Sequence, residues 1–170
     1  MGGSVVHKWI VGGVFGLAVL FGGIAPVGAE NQAPWTGQVV AVYDGDTLLV
    51  RSGSRREMIR LHGVDAPEWE QRYGHSAGNF VANLLLYERV RVRPVVKDFY
   101  DRTVAIVELQ DGRTLNEELL DRGYAWVYRS YVWGSLRYQY LDRERAARDD
   151  HRGLWHDEDP TPPWRYRQWY

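Results

Sequence analysis

Arg60-Leu61-His62-Gly63-Val64-Asp65-Ala66-Pro67-Glu68 places a guanidinium, two carboxylates and a proline within one short stretch. Apolar residues precede it, so it reads as a strand running into a tight turn locked by Pro67. Ala66 precedes that proline and is biased to an extended conformation, which turns its carbonyl out of local hydrogen bonding. Asp65, the Ala66 carbonyl and Glu68 then converge on one point, with Arg60 held at the strand end. Carboxylates and a carbonyl are hard oxygen donors for a divalent cation. A guanidinium fork matches the oxygens of a phosphate. The stretch therefore describes a hard-metal site beside a phosphate site.

The elements that must position this stretch follow from patterning. Thr36 to Tyr43 is β-branched and reads as a strand; Asp44-Gly45-Asp46 is a turn; Thr47 to Arg51 resumes as a strand, completing a hairpin. Ser52-Gly53-Ser54 turns again, and Glu57 to Leu61 forms the third strand of a meander. Gly74 to Tyr87 has Phe80, Val81, Leu84 and Leu85 at helical spacing, with Ser76 as a candidate cap. Arg89 to Val96 and Thr103 to Leu109 are the fourth and fifth strands. Thr114 caps a short helix that Gly123 ends. Ser135 to Asp150 is a charged helix whose buried side is expected at Leu136, Tyr140, Leu141 and Ala147. Its Arg143, Arg145, Arg148, Asp142, Glu144 and Asp149 read as a solvated ion-pair face. Five short strands with one helix between the third and fourth match a partly open barrel of the OB type. The expected class is α+β, β-rich, a five-stranded OB-fold barrel with three helices.

Composition bounds the function. The 170-residue chain carries a net charge of -1, so it sets up no strong global field for a polyanion. It has no cysteine, which excludes disulfides, thiolate metal sites and a cysteine-linked lipid anchor. Its basic residues are arginines except Lys8 and Lys97. His62, His75, His151 and His156 show no metal-ligand spacing and read as structural or surface. Residues 1–29 run from a weakly charged start through an apolar stretch to Pro26-Val27-Gly28-Ala29, the pattern of a signal peptide cut after Ala29. An uncleaved membrane anchor is the alternative, since the apolar run approaches the length of a span. The expected organisation is this segment, a linker at 30–35, a domain at 36–156 and a Trp/Pro-rich tail at 157–170 laid over the domain. Cleavage would place the mature protein outside the cytoplasm and leave it more acidic, so binding a nucleic acid must rest on local geometry and a cation.

Asp44-Gly45-Asp46-Thr47, Arg60-Leu61, Val64-Asp65-Ala66-Pro67-Glu68 and Asp98-x-Tyr100-x-Arg102 together resemble the thermonuclease, or staphylococcal nuclease-like, family. Leu115-Asn116-Glu117, Gly123-Tyr124-Ala125, Gly153-Leu154-Trp155 and Pro163-Trp164-x-x-Arg167 extend the likeness over Thr36 to Arg167. The resemblance implies a Ca2+-dependent phosphodiesterase of DNA and RNA that leaves 3′-phosphates and 5′-hydroxyls, acting as a monomer. By the same resemblance, Asp46, Asp65 and the Ala66 carbonyl hold the metal and Asp44 stands behind them. Glu68 orients or deprotonates the attacking water, Arg60 and Arg102 clamp the phosphate, and Tyr100 and Tyr131 line the nucleotide pocket.

Two positions depart from the family pattern: Asp101 where a small residue, usually Gly, is normal, and Arg129 where an aromatic pocket residue is expected. Read without the resemblance, Asp44 and Asp46 also serve as turn formers, and Arg60 as an ion-pair partner of Asp65 or Glu68. The competing function is a non-catalytic OB module that binds nucleic acid or protein. Such modules usually lose the acids or arginines, which this chain keeps.

Overall fold

The computed structural model describes residues 32–168; the targeting segment expected at 1–29 lies outside the described residues. Strands β1 (Trp35–Val42), β2 (Thr47–Ser52) and β3 (Arg55–Leu61) form the expected antiparallel meander. A two-residue strand, β4 (Val64–Asp65), follows at once, then helix α1 (Gly74–Leu85). Strands β5 (Arg89–Lys97) and β6 (Thr103–Glu108) lead to α2 (Leu115–Asp121), a short β7 (Trp126–Val127), α3 (Gly134–Asp149) and the single turn α4 (Pro163–Tyr166).

The sheet order is β1-β2-β3-β6-β5, closed by pairing of β1 with β5. The barrel is thus closed rather than partly open. Parallel pairing of β3 with β6, with Arg60 beside Val104, completes the ring. Bulges at Val39/Ala41 and at Pro94/Val96 bend the strands where closure needs them, and Pro94 sits at such an irregularity because it cannot donate to a ladder.

Alternation decides which residues fill the barrel. Val39, Leu48, Val50, Ile59, Val90, Val92, Ala105 and Val107 are fully or almost fully buried, and Val81, Leu115, Leu119 and Leu120 pack on them from α1 and α2. Burying one such aliphatic side chain is worth about 1.5–3 kcal/mol. An Ile59→Ala exchange, which also leaves a cavity, would cost about 2–5 kcal/mol. Asn116 is fully buried: its side chain accepts from the Val107 amide at 3.1 Å and donates to the His62 carbonyl at 2.9 Å. It thereby ties α2 to the barrel and to the turn at Gly63. His62 is buried beside it, and burial holds its imidazole below the ordinary range.

Three local expectations are corrected. Trp35 belongs to β1 rather than to the linker. The α1 helix starts at Gly74 after Tyr73 in a left-handed conformation, so Ser76 is inside the helix and caps nothing. Glu144 is buried, not solvated; it accepts the Val127 amide at 3.1 Å and faces Arg148 and Arg129. Arg143 likewise crosses to Asp121 at 2.6 Å and Glu117 at 3.3 Å on α2, so this face of α3 is partly a helix–helix contact. Thr114 caps α2 as expected, accepting from the Glu117 amide while its hydroxyl meets the Glu117 carboxylate.

Candidate active site

Two close approaches bring the hairpin tip to the proline corner. Gly63 turns the chain between β3 and β4 with φ +73°, a conformation that L side chains rarely adopt. Gly45 presses against Ala66 and Ala77; a Cβ there would stand 2.7 Å and 2.8 Å from their methyl carbons. With that contact made, Asp46 reaches the corner, and its Oδ2 accepts the Ala66 amide at 2.6 Å. The Asp44 side chain folds back on the Asp46 amide at 2.9 Å, so both acids are fixed by the backbone of the turn. On the other side, β4 pairs with β7, setting Asp65 opposite Trp126.

Arg60 is central. Thr47 faces it across the β2–β3 ladder, and its two terminal nitrogens each reach a different carboxylate, Nη1 to Asp46 Oδ2 and Nη2 to Asp65 Oδ1, both at 2.6 Å. Nη1 also donates to the Val64 carbonyl at 3.1 Å. The ion-pair reading of Arg60 is therefore realised, with Asp46 as well as Asp65. Asp46 and Asp65 are both buried. Burial, reinforced by the negative charges of Asp44 and Asp65, pushes the Asp46 carboxyl up to about 7 despite Arg60 and the Ala66 amide. Burial works against the Arg60 cation, but its three acidic neighbours hold it more firmly protonated than usual. With Arg167 on Asp65 and Glu68, two guanidinium groups face the four carboxyl groups of Asp44, Asp46, Asp65 and Glu68, so the cluster holds more acids than cations.

That imbalance is what a hard dication would relieve. The donors are all oxygen, which suits calcium or magnesium. Among the described residues no group of three or more His, Asp or Glu side chains gathers as a metal site. A cation here would thus rest on the pair Asp46 and Asp65, with the Ala66 carbonyl and water completing its shell.

The cleft, about 620 Å³, is also lined by Asp44, Glu68, Asp98, Tyr100, Arg102, Tyr128, Tyr131 and Arg167. Of the residues singled out from sequence, Asp44, Arg60, Asp65, Glu68, Tyr100, Arg102 and Tyr131 meet in it; Asp46 and Ala66 do not line it but lie buried beside it, Asp46 paired with Arg60 and bonded to the Ala66 amide. Arg102 closes the loop between β5 and β6. Its Nε bonds Asp98 Oδ2 at 2.7 Å and its amide bonds Asp98 Oδ1 at 2.9 Å. Partial burial tends to raise the Asp98 carboxyl, but these bonds and the Tyr100 amide hold it below the ordinary range. Asp98 thus anchors the fork of Arg102. Asp101 takes φ 60°, so the departure from a small residue leaves the left-handed turn intact. Tyr100 and Phe99 project outward, Phe99 being 97% exposed. The Arg102 guanidinium stands 5.7 Å from the Tyr100 ring.

Two cleft residues escaped the sequence reading. Tyr128 lies against Tyr131 with ring centroids 4.5 Å apart, and stacks on Trp164 at 5.8 Å with the planes 5° from parallel. It supplies the aromatic wall expected near position 129, while Arg129 turns toward Glu144 at 3.7 Å. Arg167, from the tail, reaches Asp65 Oδ2 at 2.9 Å and Glu68 Oε1 at 2.5 Å. The Pro163-Trp164-x-x-Arg167 pattern was its only signal.

Comparison with known proteins gives the family. Residues 58–157 match the family described as staphylococcal nuclease homologue. An uncharacterized endonuclease of Escherichia coli O157:H7 is 38% identical over 131 residues, covering 77% of this chain and 84% of the relative. An uncharacterized endonuclease of Haemophilus influenzae is 34% identical over 134 residues, covering 78% and 73%. A micrococcal nuclease of Shigella flexneri is 33% identical over 150 residues, covering 84% and 86%.

Proposed function

The chain belongs to the staphylococcal nuclease homologues and is a nuclease, a phosphodiester hydrolase; from that premise we propose that it is a secreted, Ca2+-dependent enzyme that cleaves DNA and RNA with little sequence preference. The observation that carries this reading is the meeting of Asp65, Glu68, Arg60 and Arg102 in one cleft, with Asp46 buried against Arg60 beside it. Asp46, Asp65 and the Ala66 carbonyl would hold the cation. When bound, calcium supplies positive charge against the negative charge that gathers on the phosphate.

The chain's own residues do the rest. Arg102, anchored by Asp98, presents its fork to non-bridging phosphate oxygens at the cleft rim. Arg60 sits deeper, where its charge acts in a less watery setting and is worth more. Glu68, on the corner after Pro67, takes a proton from water as the water oxygen bonds to phosphorus. The phosphorus–oxygen bond to the 5′ carbon then breaks, and the departing oxygen takes up a proton, leaving a 3′-phosphate and a 5′-hydroxyl. Tyr128 and Tyr131 offer ring faces on which bases can stack, a contact that tolerates any sequence. Local geometry carries binding, since the net charge is -1.

The test is cleavage of single-stranded DNA and RNA by purified protein with calcium and with chelator, with analysis of product ends. Glu68→Gln should lower kcat by about 10²–10⁴-fold. Activity indifferent to both chelator and Glu68→Gln would sink the proposal. Secretion is tested separately, by N-terminal sequencing of extracellular material: a start at Glu30 supports it, and an intact Met1 points to the membrane-anchored form. Sedimentation of the pure protein tests the proposed monomer.

A further inference from the structure

The tail carries three ties into the loop that bears Glu68. Gln71, itself buried, donates from Nε2 to the Thr161 carbonyl at 2.5 Å, and its Oε1 accepts the Glu68 amide at 3.1 Å. Arg72 pairs with Asp157 at 2.8 Å. Arg167, just beyond α4, spans Glu68 Oε1 and Asp65 Oδ2 with different nitrogens of one fork. The same tail sets Trp164 behind Tyr128. Without the fork, a glutamate on an exposed corner would have several rotamers open to it. With it, the Glu68 carboxylate is registered against Asp65, whose other oxygen is already held by Arg60 at 2.6 Å. The match to the family model spans residues 58–157, and Thr161, Trp164 and Arg167 lie beyond it, in the tail that carries the Pro163-Trp164-x-x-Arg167 pattern.

We propose that Arg167 is a positioning residue for the hydrolysis: its guanidinium, with Gln71 as a second tie, fixes the Glu68 carboxylate relative to Asp65 and makes the C-terminal segment part of the active site. The inference rests on the reading of Glu68 as the group that handles the attacking water. A guanidinium is required because one planar fork must reach two carboxylates; an ammonium is a point charge that satisfies one of them well.

The experiment compares wild type, Arg167→Ala, Arg167→Lys and Gln71→Ala, each checked for an intact thermal transition. With single-stranded DNA at saturating calcium, Arg167→Ala should lose about 10- to 100-fold in kcat with KM within about threefold, the size expected for loss of an orienting partner. Added guanidinium ion should restore part of that loss, and Arg167→Lys should fall between. In metal-free protein without substrate, amide hydrogen exchange across residues 66–71 should quicken in Arg167→Ala and Gln71→Ala while β1 to β3 stay protected. Unchanged kcat in folded Arg167→Ala, a loss confined to KM, or unchanged exchange across 66–71 would each overturn the positioning role. If the wild type shows no calcium-dependent cleavage, the functional reading fails instead, and the exchange arm still decides whether the tail orders the corner.

Discussion

Asp46 makes the metal-free protein sensitive to pH in a direction opposite to that of most carboxylates. Its carboxyl is raised from 3.8 to about 7, chiefly by burial. The folded state holds this proton more tightly than the unfolded chain does. The associated stability is fully present below about pH 4 and is lost as pH rises to about 7. That interval corresponds to about 4 kcal/mol. For a domain of this size about 1 kcal/mol moves Tm by a few degrees, so the loss is large enough to read as a fall in Tm. His62 works the other way within the same window: its lowered value favours the folded state above the unfolded imidazole's 6.5, and that contribution is lost as pH falls. Asp121, raised chiefly by burial, acts with Asp46.

Asp46→Asn isolates the effect, because His62 and Asp121 are common to both proteins. In chelator, the wild-type Tm should fall relative to that of Asp46→Asn between pH 5 and pH 8. Calcium, which needs the ionised carboxylate, should stabilise wild type far more at pH 8 than at pH 5 and leave Asp46→Asn nearly unmoved. Differential scanning calorimetry over that range measures both. Parallel Tm–pH curves in chelator, or equal stabilisation of the two proteins by calcium, would refute the reasoning.

Arg102→Lys should lower kcat by about 10²–10³-fold while leaving Tm nearly unchanged, since it removes a fork at the cleft rim and no core contact; steady-state kinetics within threefold of wild type would contradict this. Phe99→Ala should weaken binding of single-stranded DNA by about 1–3 kcal/mol, the worth of one stacked base, because the residue lines the cleft and is 97% exposed. Fluorescence anisotropy with chelator present measures that without turnover, and equal affinities would exclude stacking there. Glu144→Ala should cost about 1–3 kcal/mol in urea unfolding by leaving the buried Val127 amide without its acceptor, whereas Glu144→Gln should cost less; equal losses would point to charge instead.

Local chemistry is what the chain discloses in one dimension. β-Branched residues at Val39, Val40 and Val42 with the turn Asp44-Gly45-Asp46 marked the first hairpin, and alternation of charge with valine over Arg89 to Val96 marked a later strand, because neighbouring residues on a strand must face opposite sides. Thr114 announced α2 through its cap, and Asp101 could keep a left-handed turn because Asp tolerates that region. The segment from Arg60 to Glu68 carried four site residues in one stretch, so their convergence needed only a turn. Pairings between distant segments were not legible. Parallel closure of β3 on β6 and antiparallel pairing of β4 with β7 join segments far apart in the chain, and no local period encodes which strand lies beside which. Glu144 looked solvated because a charged helical face reads the same whether water or the Val127 amide meets it. Arg167 stands 102 residues from Asp65, and only the docked tail, with Trp164 stacked on Tyr128, brings its guanidinium to the two acids. Sequence alone thus determined which groups could grip a phosphate and a cation, since those depend on residue type and short spacing. Tertiary packing decided which buried acids share a guanidinium and which arginine holds Glu68, since both depend on contacts closed across the whole chain.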